Sequence, residues 1–329
     1  MPTSLITLPG TTLRISRLAL GTANLGVRQT DAEAFALLDH FAARGGRLLD
    51  TARVYSDWVP GEPGRSERII GDWLRSRPGL RDSIVVATKG LHYAWGSPLQ
   101  SRVTAADARR DIEQSLRVLG LDCLPLYWLH RDDPARPVEE IVEFMQAFVR
   151  EGKVRHLGAA NWTGPRLIAA NAYAARASLT GFVANQPLYN IGCWDLRPAT
   201  DPSLVDLDRP TYDHHRRTHL PLMPYSPQAQ GFFTHVANGT KQEKVGHSRY
   251  ATPRNLGLAP VIAAQARAKG CSVNAIVLAY LFHQPFPVVP IIGSLTMEQI
   301  DDSMAAENVV LSRDELQQLE DAAGSAIRH

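Results

Sequence analysis

Short apolar runs alternate with amphipathic stretches of helical length along almost the whole chain, and this alternation constrains the fold more than any other feature. Eight runs read as strands: Leu18–Gly21, Arg47–Asp50, Ile84–Lys89, Leu124–His130, Val154–Ala159, Gly181–Gln186, Pro221–Tyr225 and Val288–Ile292. Between them lie the helical patterns Asp31–Arg44, Ser66–Ser76, Thr104–Leu119, Val138–Glu151, Pro165–Ser178, Arg209–Thr218, Ala259–Lys269 and Ser272–Gln284. Strands separated by helix-length connections pair in parallel, so the pattern predicts an α/β fold of the (β/α)8 TIM-barrel type. Asp31, Ser66 and Thr104 stand where N-caps are wanted, and Gly120, Gly152 and Gly270 where left-handed C-caps close helices. No Pro/Gly/Ser-rich linker divides the chain, and residues 1–329 read as one barrel domain.

Two additions frame that barrel. Apolar stretches on either side of Pro9-Gly10 read as an N-terminal β-hairpin, and Thr296–Ala306 and Ser312–Ala323 read as extra C-terminal helices. Long irregular stretches follow the sixth strand from Asn190 and the seventh from His235, and loops of that length in a compact domain are usually functional.

The formal net charge is +2, with Lys and Arg dispersed, so no basic footprint for nucleic acid stands out and a small molecule is the expected partner. Cys123, Cys193 and Cys271 are odd in number, far apart and outside any CxxC spacing, which speaks against a disulfide framework or a structural zinc site. The start, MPTSLITLPG, lacks the basic and apolar segments of a secretory signal. No apolar run of about 18 residues suggests a membrane span, and a cytoplasmic protein is expected.

In a parallel barrel the C-terminal strand ends share one face, where such enzymes keep their active sites. The second strand ends at Asp50 with Tyr55 just beyond, the third at Lys89 and the fourth at His130. Singly, an Asp–Lys pair reads as a barrel salt bridge and a strand-end His as scaffolding. Together, an acid, a phenol, an amine and an imidazole from three adjacent strands converge on one spot.

The segments "LLDTARVYS", "VVATKG", "LYWLHRDDP" and "GKVRHLGAANW" resemble the aldo-keto reductases, in order and spacing, over essentially the whole chain. The resemblance implies a (β/α)8 barrel with an N-terminal hairpin, and metal-free, reversible hydride transfer between a nicotinamide and an aldehyde or ketone. It implies Tyr55 as proton donor, surrounded by Asp50, Lys89 and His130. The chemistry is consistent: hydride arrival puts negative charge on the carbonyl oxygen, which calls for a proton or a strong hydrogen bond. A free tyrosine is a reluctant acid, with a pKa of about 10. A lysine cation beside it would favour the phenolate, a carboxylate would keep that lysine charged, and His130 could orient the carbonyl or share the proton transfer.

No strand is followed by GxGxxG, so a Rossmann site is not indicated. The resemblance implies instead that Asn161 and Gln186 hold the nicotinamide carboxamide and that Tyr225, followed by Ser226, stacks on its ring. Ala160 stands where the family commonly has Ser, which removes one expected hydrogen bond. Gly293 and Ser294, followed by a helix start, offer backbone N–H groups for a phosphate. Where many NADPH-preferring members carry Lys or Arg, this chain has Gly293 and Gln299 with Asp301 and Asp302 following. That leans to NAD(H) over NADP(H), unless Lys241, Lys244, Arg249 or Arg254 folds over the site.

Trp58, His92, Tyr93, Trp95 and Trp194 are expected on loops at the active face, where flat amphipathic rings suit a sugar- or polyol-derived carbonyl. His214, His215 and His219 read as a solvated helix face rather than metal ligands. A coenzyme-sensing regulatory subunit is the alternative from another class, because some members of that superfamily bind nicotinamide and act mainly as partners of other proteins.

Overall fold

The computed structural model describes residues 3–27, 29–59, 61–93, 100–240 and 245–325. An antiparallel hairpin of β1 (Leu5–Thr7) and β2 (Arg14–Ser16) precedes β3 (Ala19–Gly21), α1 (Asp31–Ala43), β4 (Leu48–Asp50), α2 (Arg65–Ser76), the short α3 (Pro78–Arg81) and β5 (Val85–Gly90). The alternation continues through α4 (Ala105–Leu119), β6 (Leu124–Leu129), α5 (Val138–Arg150), β7 (Val154–Ala160), α6 (Gly164–Arg176), β8 (Phe182–Gln186) and α7 (Arg209–Thr218). Then come α8 (Phe232–Ala237), α9 (Pro253–Lys269), α10 (Val273–Phe282), β9 (Ile291–Ile292), α11 (Met297–Ala305) and α12 (Arg313–Ala323). Among the described residues no helix is long and apolar enough to cross a membrane.

Seven strands form one parallel sheet in the order β8-β7-β6-β5-β4-β3-β9. The expected strand Pro221–Tyr225 is not a continuous ladder. It closes the barrel through bridges from Leu222 to Asn185 on one side and to Val288 on the other. The Leu222 N–H donates to the Pro287 carbonyl at 2.9 Å, the Met223 N–H to Asn185 at 2.8 Å and the Ile291 N–H to Pro224 at 3.0 Å. Pro221, Pro224, Pro287 and Pro290 have no N–H to give, which is why the seam is bridged and not laddered. The result is a (β/α)8 barrel.

Two apolar layers hold it. Within the strand cylinder, Leu48, Ala87, Leu126, Trp128 and Met223 pack together, and Leu8, Leu13 and Ile15 of the hairpin join them from the N-terminal end, as the hairpin expectation had it. The larger layer lies between strands and helices. Helix starts follow the expected chemistry in part: Thr104 caps α4 by accepting from the Asp107 N–H, whereas α1 is capped by Thr30, one residue before Asp31, and α2 starts after a left-handed Gly64 without a side-chain cap. Helix α9 begins at Pro253, six residues before the expected Ala259 and with Pro260 inside it. Thr252 caps it, and Pro253 sits where no intrahelical N–H is needed.

One glycine in this frame bears on the site. Trp128 on β6 lies opposite Gly158 on β7, and a Cβ at residue 158 would come within 2.3 Å of the indole. Gly158→Ala should therefore cost about 1–3 kcal/mol through overpacking, read as a lower denaturant midpoint at unchanged m-value.

Candidate active site

Parallel pairing sets the C-terminal ends of β4, β5 and β6 side by side, with Asp50 against Ala87 and Lys89 against Trp128. Asp50 and Lys89 are 2% and 1% exposed and form an ion pair inside the barrel mouth. The Lys89 ammonium also donates to the Thr51 carbonyl at 2.9 Å, and Gln186 of β8 donates its amide N–H to the other Asp50 oxygen at 3.1 Å. The carboxylate is thus held from two strands.

Tyr55 follows a turn in which its N–H donates to the Ala52 carbonyl. Its ring centre is 4.8 Å from the Lys89 nitrogen, and its edge meets the His130 ring at 5.9 Å between centroids. Ser56, Leu91, Asn161 and Ser226, all just beyond strand ends, have positive φ between 51° and 70°. Non-glycine residues held there carry backbone strain, a feature that clusters at functional sites.

Electrostatics separate the four groups. Burial works against the Lys89 charge, but Asp50 and Tyr55 outweigh it and hold the ammonium above the ordinary lysine range. Burial pushes the Tyr55 phenol up, and the Lys89 cation offsets only part of that rise. Burial, then neighbouring Arg131, drives His130 well below the usual imidazole range, so it is neutral at pH 7. His92, 4.7 Å from His130 between ring centroids, is likewise lowered, to about 4, by burial first and then by Arg131.

Of these groups Asp50, Tyr55 and His130 line one end of a cleft of about 680 Å³, with Lys89 behind them on Asp50. Asn161, Gln186, Tyr225 and Ser226 line its middle, and Gly293, Ser294, Gln299 and Asp302 line its far end. Asn161 spends both lone pairs of its carbonyl oxygen on the Val205 N–H at 3.1 Å and the Tyr225 hydroxyl at 3.0 Å. One of its amide hydrogens goes to the His130 carbonyl, leaving the other free to donate into the cleft. The tie to Asn161 also fixes the Tyr225 ring.

At the far end some of the backbone donors expected to be open are taken. The Gly293 N–H is taken by the Gln228 side chain at 2.9 Å, the Leu295 N–H by Gln299 at 2.8 Å, and the Gln299 N–H by Thr296, which caps α11. The buried Ser294 hydroxyl lines the cleft with no partner among the described residues. Among the described residues no Lys or Arg lines that end: Arg249 is bound bidentate to Asp206, and Arg254 lies against Gly324. Asp301 pairs with His40 and Arg44, while Asp302 takes an N–H from Asn274 at 2.8 Å. Lys241 and Lys244 lie outside the described residues.

The expected ring-lined loops divide. His92 packs on His130, and the Tyr93 hydroxyl donates to Asp201 at 2.8 Å. Trp58 is 43% exposed, and Trp95 lies outside the described residues. Trp194 does not line the cleft: it packs edge-on to Tyr189 and Tyr212, because its loop folds back on the helix layer. His215 is not on a solvated face. It is fully buried, with ring nitrogens on the Leu220 carbonyl and the Asn185 amide, and only the exposed His219, at the left-handed C-cap of α7, fits that reading.

Sequence reasoning passed over Arg131, which follows His130 and lines the cleft. It holds Ser203 at 2.7 Å and Asp201 at 3.1 Å, and so pins the long loop after β8. A charge placed directly after a strand-end imidazole was the available signal.

The sequence matches the model of the aldo/keto reductase family over residues 17–323, and the chain belongs to that family of oxidoreductases. It is 30% identical to an uncharacterized oxidoreductase, YrpG, of Bacillus subtilis, over 94% of this chain and 93% of that protein. It is 27% identical to norsolorinic acid reductase B of Dothistroma septosporum (95% and 80% covered) and 30% identical to norsolorinic acid reductase stcV of Emericella nidulans (94% and 78%).

The buried pair has a direct consequence for stability. Lys89→Met would strand the Asp50 carboxylate in a dry site, and the loss should be about 3–5 kcal/mol at neutral pH, read by denaturant titration. Asp50→Asn combined with Lys89→Met should recover much of it, because neither charge then remains.

Proposed function

We propose that this family member reduces an aldehyde or ketone, with Tyr55 delivering the proton to the carbonyl oxygen. The observation that carries this reading is the convergence of Tyr55, Lys89, Asp50 and His130 at one end of a cleft that continues past Asn161, Gln186 and Tyr225. That cleft suits a nicotinamide dinucleotide. Among the described residues two buried polar atoms on its wall, His130 Nδ1 and Ser294 Oγ, have no protein partner, and one amide N–H of Asn161 is spare. When bound, the dinucleotide supplies the hydride. Asn161 would donate to the carboxamide oxygen, Gln186 would accept from its amide with the side-chain oxygen, and the Tyr225 ring would back the nicotinamide.

Neutral His130 offers a hydrogen bond to the carbonyl oxygen without placing a second cation beside Lys89. Tyr55 supplies the proton as negative charge grows on that oxygen. Lys89 stabilises the resulting phenolate, which offsets the upward push of burial, and Asp50 keeps Lys89 charged and aimed. Tyr55→Phe should lower kcat at least a hundredfold with a generic aromatic aldehyde while coenzyme Kd stays within about twofold, because only an interaction made in the transition state is lost. Near-normal kcat would overturn the assignment.

For the coenzyme, the far end of the cleft supports NAD(H): Gln299, Asn274 and Asp302 line it, where the adenosine ribose would lie, and no described Lys or Arg does. A doubly charged phosphate there would meet a carboxylate instead of a cation. Gln299→Arg should move the NADPH-to-NADH ratio of kcat/KM towards NADPH by about tenfold, equivalent to roughly 1.4 kcal/mol. Parallel initial-rate series at equal ionic strength read it. For the substrate, His92, Tyr93 and Trp58 near the proton donor support a carbonyl compound with one apolar face and hydroxyl groups, such as a sugar or polyol derivative. The norsolorinic acid reductases among the relatives make aromatic carbonyls the second series to assay.

A further inference from the structure

Behind the strands that carry Asp50 and Lys89 lies a second group of ionisable side chains, between the barrel and helices α2 and α4, that the proton-donor arrangement does not use. Its centre is Glu67 on α2, 1% exposed. Thr88, the neighbour of Lys89 on β5, points outward and donates its hydroxyl to Glu67 at 2.5 Å. The Ser115 hydroxyl of α4 faces the same carboxyl and has no other partner, and Tyr127 of β6 buries an unpartnered phenol beside it. One hydroxyl that donates to the carboxyl and a second that faces it suit a carboxylate.

The charges around it suit the acid instead. Arg102, ahead of α4, binds Asp107 at 3.2 Å and Asp111 at 2.8 Å. Arg53, in the loop after β4, lies 3.2 Å from Asp57 and 3.6 Å from Asp111. Arg110 also binds Asp107, at 2.9 Å, so three guanidiniums already answer to three carboxylates, and an ionised Glu67 adds a fourth, unmatched negative charge in a dry site. Donors and charges oppose each other, and neither protonation state is strongly preferred.

Arg53 connects this cluster to the active site. It stands two residues before Tyr55, and its backbone N–H donates to the Lys89 carbonyl at 2.9 Å. Its side-chain partner Asp57 accepts from the Gly64 N–H at 2.6 Å, closing the loop that contains Tyr55 and the strained Ser56. We propose that Glu67 is a positioning residue for Tyr55, a proton-operated brace that acts through Arg53 and not on the reacting atoms. Protonated, Glu67 leaves Arg53 to Asp57 and Asp111, and the loop is tight. Ionised, it competes for the same guanidinium, and the hold on Asp57 slackens.

The titration falls in a useful range. Burial above all holds the Glu67 carboxyl up at about 7, against an ordinary value of 4.5. A raised carboxyl favours the neutral form in the folded chain. Its contribution to stability is complete below about pH 4.5 and is lost as pH rises to about 7, when the folded state too must ionise. The loop loosens over the upper part of that range.

Hydrogen exchange of the full, coenzyme-free chain reads the brace without any reaction. Protection of amides 53–59 should fall severalfold from about pH 6 to about pH 8 in the natural chain, beyond the intrinsic pH effect, and should stay level in Glu67→Gln. Arg53→Met should be poorly protected at both values. The kcat profile gives a second readout, which rests on the proposed carbonyl reduction: an inflection near neutrality should disappear in Glu67→Gln while KM for the coenzyme is unchanged. If the natural chain turns over no carbonyl, that reading fails and the exchange experiment alone decides the brace. Should Glu67→Gln not fold, Thr88→Val replaces it and should move the loop transition to higher pH, because the carboxylate loses a donor. An equal pH response of the loop with and without the carboxyl, or an inflection that survives its removal, overturns the proposal.

Discussion

The Lys89–Asp50 pair in the barrel mouth is the interaction on which the rest of the site depends. Two opposite charges almost fully removed from water persist only where each is surrounded by further partners. The barrel provides these: the Thr51 carbonyl for the ammonium and the Gln186 amide for the carboxylate, from strands on opposite sides of the mouth. The apolar wall below them, with Trp128 lying over Gly158, keeps the pair dry and its field strong at Tyr55. The same dryness neutralises His130, so a phenol and a neutral imidazole meet at the mouth with the Lys89 ammonium behind them.

This arrangement links regions far apart in the chain. Gln186 touches Asp50 with its nitrogen and the cleft with its remaining amide oxygen, so the group that would hold the nicotinamide also steadies the proton donor's support. Asn161 does the same with Tyr225 and with Val205 of the long loop after β8, which Arg131 pins from its other side. The cleft wall is therefore made of side chains that are mutually bonded before any ligand arrives, which lowers the ordering cost of binding.

Much of this was legible in the sequence because it follows from period and position. Seven of the eight barrel strands and most helices come from alternation of apolar runs, and Asp50, Lys89 and His130 come from their place at strand ends. The seventh strand differed because periodicity does not count donors: the Pro221–Tyr225 segment has the composition of a strand and lacks the N–H groups of one. Trp194 and His215 were misread for a related reason. Whether a loop aromatic turns outward or back onto the helix layer, and whether a polar helix residue meets the Asn185 side chain of a neighbouring strand, is decided by tertiary packing that a single sequence does not display. The capped donors after β9 escaped notice because their acceptors, Gln228 and Gln299, are side chains from different segments.

The proline-flanked seam has a consequence for how the cleft keeps its shape. Tyr225 and Ser226 on one side and Gly293 and Ser294 on the other continue directly from the bridged segments, so this wall of the cleft grows out of the part of the cylinder that is bridged and not laddered. Stiffness there comes from pyrrolidine rings that fix backbone torsions in the unfolded chain as well as in the folded one. Such a wall resists bending without being strongly cemented to its neighbours. Its shape is carried in its own torsions, so it stands ready before any ligand arrives.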